Sequence, residues 1–161
     1  MPNHNHQRCI NQALQLAADI CHKRDLRFTS IRRKTLELVW SSHCAIKAYD
    51  ILNLLSETGQ KPQPPTVYRA LDFLVKQGFV HKVESQNAFI GCPHPERRHN
   101  CQLLICEKCG TIEELCNEDI TSRLTEAAEK HHFQIKNITL ELKGICKRCG
   151  KHSIFKNDCT T

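Results

Sequence analysis

No stretch of this 161-residue sequence approaches the ~18 consecutive apolar residues that a membrane-spanning helix needs, which excludes a helical membrane protein. The opening Met1-Pro2-Asn3-His4-Asn5-His6 lacks a charged start followed by an apolar core, so no secretory signal is expected. Internal repeats and low-complexity tracts are missing too. No HExxH or comparable catalytic motif occurs, which removes the usual signature of a zinc hydrolase. Together these absences lead to the expectation of a soluble cytoplasmic protein that is not an enzyme, with room for one ordinary domain or two small ones.

What is abundant is metal-ligating chemistry: 11 cysteines and 10 histidines. In a secreted chain that cysteine content would suggest disulfides; without an export signal, metal binding is the better reading. Charge is also uneven. Up to Cys92 there are 12 Lys and Arg against 7 Asp and Glu, whereas the remainder holds 11 against 10. A basic N-terminal half beside a near-neutral C-terminal half fits a polyanion-binding module joined to something else.

Helical spacing of Ile10, Leu14, Ala17, Ala18 and Cys21 predicts a first helix over 7–23. Thr29 is the expected N-cap of a second, carrying Ile31, Leu36, Leu38, Val39 and Trp40. A third runs over 47–57. The proline-rich Lys61-Pro62-Gln63-Pro64-Pro65 then delivers Thr66 into a fourth, which should bury Val67, Leu71, Leu74 and Val75 and stop at Gly78. The opposite face would show Thr66, Arg69, Asp72 and Lys76. Residues 79–84 and 88–90 look like hairpin strands. Helices followed by a small hairpin make a winged helix-turn-helix, with the fourth helix as its recognition element. Beyond a charged, proline-containing hinge at 93–100 the pattern becomes strand (102–106), strand (111–115), helix (118–130) and a longer strand (133–142). The expected fold is therefore α+β, with an N-terminal domain over 1–92 and a second over 101–161.

Two matched knuckles, Cys106-Glu107-Lys108-Cys109-Gly110 and Cys146-Lys147-Arg148-Cys149-Gly150, supply four thiolates. That is a complete tetrahedral shell with no open position, the form of a structural zinc site. Each closing glycine is expected to accommodate a positive φ. A thioredoxin-like redox motif needs only one such pair, at a helix start. Near the module boundary His81, Cys92, His99 and Glu114 offer a second set, with two ligands from each module. Binding there would draw the modules together, and its sulfur favours zinc over ferrous or manganous ions.

The run KPQPPTVYRALDFLVKQGFVHKVES (61–85), together with AYDIL (48–52) and the two CxxCG knuckles, closely resembles the ferric uptake regulator family, and its zinc-responsive branch in particular. The likeness covers roughly residues 8 to 150. It implies a homodimer in which the second domain serves dimerisation, and two zinc ions per monomer. The structural ion would be held by Cys106, Cys109, Cys146 and Cys149, and the regulatory ion by His81, Cys92, His99 and Glu114. The zinc-loaded dimer would repress zinc-uptake genes from a pseudo-palindromic DNA operator, with no small-molecule substrate. Tyr49 and Arg69 match positions that reach bases; Thr66 and Tyr68 match positions nearer the backbone. A relative sensing iron, manganese or peroxide is the alternative. Departures are Ser30 where the family usually has proline, and His94 and Cys101, which compete with His99 as ligands. His131 and His132 match either a further metal site or a plain helix end. Arg24, Arg27, Arg32, Arg33 and Lys61 are candidates for phosphate contacts, of which about half would touch DNA.

Overall fold

The chain is described by a computed structural model covering residues 6–41, 44–57, 59, 62–96 and 102–150. It divides into two compact units, Met1–His99 and Asn100–Thr161.

The first unit contains α1 (His6–Lys23), α2 (Ser30–Val39), β1 (Ile46–Lys47), α3 (Ala48–Glu57), α4 (Pro64–Lys76), β2 (Val80–Val83), a 3-10 turn (Glu84–Gln86) and β3 (Ala88–Gly91). Its core is built where the apolar faces of the helices converge. Ala17 and Cys21 from α1, Leu36 and Val39 from α2, Ile51 and Leu55 from α3, and Val67, Leu71 and Leu74 from α4 are all buried, and Phe79 joins them. Each Val, Leu, Ile or Phe among them contributes on the order of 1.5–3 kcal/mol by leaving water. Val75 does not join them. At 36% exposed it lies one position round from Leu74, outside the buried stripe.

Thr29 caps α2 as expected, its hydroxyl accepting the Arg32 N–H at 3.5 Å. Helix α4 begins two residues earlier than the prolines suggest. Pro64 and Pro65 occupy its first turn, where no N–H is needed for the helix ladder, so they start the helix rather than precede it. The wing is a three-stranded antiparallel sheet of order β1-β3-β2, with Lys82 opposite Phe89 and Ile46 opposite Phe89 on its other side. Asn87 turns the hairpin at φ 47°, a left-handed conformation that asparagine tolerates. Strand β1 was not evident in the sequence, because two residues carry no period.

The second unit holds β4 (Gln102–Cys106), β5 (Ile112–Leu115), α5 (Glu118–Lys130), β6 (Leu140–Gly144) and the short α6 (Lys147–Gly150). The sheet order is β5-β4-β6, with β4 antiparallel to β5 and parallel to β6. Asn117 caps α5 by accepting the Asp119 N–H at 2.9 Å, and Glu118 and Asp119 suit the positive end of the helix. The long strand expected over 133–142 is mostly absent: only 140–144 pairs with β4, and 133–139 is irregular. Alternation of apolar residues marked that segment, but a strand also requires a partner edge. No described helix is long and apolar enough to cross a membrane.

Candidate metal centre and nucleic-acid interface

The two knuckles meet because their parent strands are parallel. In that pairing both strands run to the same end of the sheet, and Cys106 stands opposite Gly144. Helix α5 supplies the crossover that a parallel pair needs. The chain then turns identically at each exit: the Gly110 N–H bonds to the Cys106 carbonyl at 2.9 Å, and the Gly150 N–H to the Cys146 carbonyl at 2.8 Å. The conformations of these glycines differ, however. Gly110 takes the expected positive φ of 69°, whereas Gly150 closes the single turn of α6 without one.

The result brings ligand atoms of Cys106, Cys109, Cys146 and Cys149 within 4.8 Å of one another. A zinc–sulfur bond of ~2.3 Å implies sulfur–sulfur edges of about 3.8 Å in a tetrahedron. The Cys109 and Cys146 sulfurs are 3.7 Å apart, so the donor set fits the ion in both chemistry and spacing.

The electrostatics agree. The Thr111 hydroxyl, then the Thr111 N–H and Arg148, bring the Cys109 thiol down to about 5. The N–H groups of Cys146 and Cys109 lower Cys106. Cys149 is pushed up to about 12, first by its hydrogen bond to Cys109 and then by burial. Cys109 is thus driven towards the thiolate and Cys149 towards the protonated form. Four thiolates this close form together only around a cation.

Of the second expected ligand set, His81 lies on β2 and Cys92 just beyond β3, with ligand atoms within 4.8 Å of each other. Cys92 is buried, and its N–H bonds to the Phe79 carbonyl at 3.0 Å, which ties the end of the wing to the core. Glu114 is half-buried on β5 of the second unit, in register with Leu103. His99 and its competitor Cys101 lie outside the described residues. The other competitor, His94, faces Glu96 at 3.7 Å. His131 and His132 are exposed at the end of α5 and join no metal-binding group among the described residues.

On α4, Thr66, Tyr68, Arg69, Asp72 and Lys76 are all exposed, opposite the buried Val67, Leu71 and Leu74. Tyr68 is 53% exposed, and Tyr49, in the first turn of α3, is 68% exposed. The basic residues expected at phosphates divide. Arg24 donates to the Gln77 carbonyl and side chain, each at 3.1 Å. Arg32 donates to the Arg27 carbonyl and stacks on Phe73 at 3.5 Å. Arg33 lies over Phe28 at 5.3 Å. All three make contacts within the first unit that spacing could not reveal. Lys61 lies outside the described residues.

Residues 23–143 match the model of the ferric uptake regulator family. The chain belongs to the ferric uptake regulator family. It is 40% identical over 139 residues to the zinc uptake regulation protein of Escherichia coli (strain K12), covering 86% of this chain and 81% of that protein. Against the ferric uptake regulation protein of Legionella pneumophila the identity is 31% over 127 residues, or 77% and 91% of the two chains. A solved zinc uptake regulator complexed with zinc and DNA matches with a TM-score of 0.84 at 39% identity, over 88% of this chain and 95% of that one.

Sequence reasoning missed two residues of the metal centre, Thr111 and Arg148. Arg148 is legible afterwards as a cation inside a CxxC turn. Nothing in the sequence marks Thr111.

Proposed function

We propose that this protein is a zinc-responsive transcriptional repressor whose zinc-loaded homodimer binds a pseudo-palindromic operator and represses zinc-uptake genes. The observation that carries the proposal is its likeness, along most of its length, to a regulator solved with zinc and DNA. Each monomer holds two zinc ions. Cys106, Cys109, Cys146 and Cys149 hold a structural ion, whose thiolates cross-link the ends of β4 and β6. His81, Cys92, His99 and Glu114 hold the regulatory one. His81, Cys92 and His99 belong to the first unit and Glu114 to the second, so occupancy couples the two and metal binding is converted into operator affinity.

Thr66 and Tyr68 contact the DNA backbone, and Tyr49 and Arg69 reach bases. A guanidinium presented to guanine O6 and N7 discriminates by about 1–3 kcal/mol. The second unit serves dimerisation, supported by its incomplete core. Helix α5 buries no residue, while Leu104 and Leu142, in register on neighbouring strands, are 37% and 44% exposed. A protein with this task works in the cytoplasm and carries no catalytic site.

Sensing of iron, manganese or peroxide by the same fold is disfavoured by Cys92, because a thiolate beside an imidazole selects zinc over harder ions. The test is elemental analysis of zinc per monomer before and after mild chelation, with operator binding followed in parallel. Two ions falling to one, with DNA binding lost and then restored by added zinc, is the expected result. One non-exchangeable ion, with binding indifferent to chelation, would refute sensing.

A further inference from the structure

The four-cysteine site has a neighbour that its ligand list does not contain. The Arg148 guanidinium donates to the Thr111 hydroxyl at 3.4 Å, and that hydroxyl lies 3.3 Å from the Cys109 sulfur. A hydroxyl has one proton to give. A protonated Cys109 thiol donates to that hydroxyl. Once the thiol is ionised on zinc it can only accept, and the hydroxyl's one proton then turns to the sulfur while the arginine on its oxygen polarises the pair. The backbone adds to this, the Cys146 N–H donating to the Cys106 sulfur at 3.3 Å.

Four thiolates around a zinc dication leave a net charge of −2, which the surroundings must offset. Lys108 and Lys147 are also cations of the knuckle loops. Arg148 differs from them in being connected to a sulfur through a defined hydrogen-bond chain.

We propose that Arg148 and Thr111 form a relay that holds the Cys109 thiolate on the structural zinc and sets how slowly that site releases its ion. Arg148 is a positioning residue: it acts through Thr111 and does not itself ligate. The proposal rests on the four-cysteine zinc site proposed above. It extends that site from a set of ligands to a site whose kinetic retention of metal is controlled by an exposed side chain. Partners of this kind that orient ligands typically alter metal affinity by ~10–100-fold.

The experiment uses the full-length zinc-loaded protein at fixed pH and follows transfer of zinc to excess 4-(2-pyridylazo)resorcinol by absorbance. The slow phase is assigned to the four-cysteine site by its loss in Cys109→Ser. Arg148 is exposed, so its removal leaves the packing in place. R148A is expected to speed the slow phase about tenfold or more. T111V should match it, and the double variant should be no faster than either single one, because both cut the same relay. K147A, which removes an equal charge from the same turn, should leave the rate unchanged. Cobalt-substituted R148A should also show a shifted thiolate-to-metal charge-transfer band, which a purely structural role would not move.

A wild-type rate in R148A would overturn the proposal. So would equal acceleration by K147A, which would make the effect one of general charge, or additive effects of R148A and T111V. A zinc content that Cys109→Ser leaves unchanged would overturn the zinc site itself, and the relay with it.

Discussion

Gly91 is the position where one added methyl group should have the largest effect for its size. It ends β3, and the indole of Trp40 lies directly against it. A Cβ there would stand 2.3 Å from Trp40 Cε2 and Nε1 and 2.8 Å from Cδ1. Carbon contacts normally settle at about 3.5–4.0 Å, so Gly91→Ala must displace a rigid ring by roughly 1 Å. The ring has little freedom to move. Trp40 is the C-cap residue of α2, its N–H bonded to the Leu36 carbonyl at 3.0 Å, and its side chain packs against the core of the first unit.

Overpacking of this kind costs about 1–3 kcal/mol. For a unit of roughly 100 residues each kcal/mol moves the melting midpoint by about 4–8 °C, so the variant should melt ~5–20 °C lower. Circular dichroism reads the midpoint. Trp40 is the one tryptophan of the chain, so its fluorescence reports the same transition locally. The decisive arm is a double-mutant cycle: in a Trp40→Leu background the clash is gone, and Gly91→Ala should cost at least ~0.5 kcal/mol less. A midpoint within about 2 °C of the parent, or an equal cost in both backgrounds, would refute the reasoning. Since Cys92 follows Gly91 directly, the same variant should also weaken the exchangeable zinc, measurable by competition with a chelator.

Arg69→Ala should lower operator affinity by ~1–3 kcal/mol and relax sequence preference, which titration against operator variants would check. Cys92→Ser should reduce zinc from two to one per monomer and abolish zinc-dependent DNA binding while leaving the melting of the second unit intact. Cys106→Ser should instead unfold that unit, because a structural zinc site contributes on the order of 10 kcal/mol, comparable to the stability of a whole domain; far-ultraviolet dichroism and elemental analysis report both consequences. Burial pushes the Cys21 thiol up, against the pull of Arg32 and Arg24. A group whose folded pKa is raised contributes stability that is present below its unfolded pKa and lost as pH rises through the folded one. The melting midpoint should therefore fall above about pH 8.5, and fall less in Cys21→Ala, in a pH series of thermal melts.

The parts of this protein set by local chemistry can be read in its sequence. Thr29 and Asn117 cap their helices because short polar side chains accept backbone N–H groups wherever a helix starts. The buried face of α4 follows from helical period, and two matched CxxC turns announce a four-sulfur shell before any fold is known. Tertiary structure decided what depends on residues distant in the chain. Parallel pairing of β4 with β6 is what makes two knuckles into one site, and Arg148 reaches Thr111 only because that pairing sets the second knuckle beside the first. Arg24 and Arg32 look like any solvent-facing cations in sequence, yet packing places one on Gln77 and the other over Phe73. Residues 133–139 alternate like a strand but pair with no strand among the described residues, and β1 has a partner but too few residues to show a period. Period and capping depend on neighbours within one turn of chain, whereas pairing, stacking and metal-ligand convergence depend on which surfaces meet when the core closes.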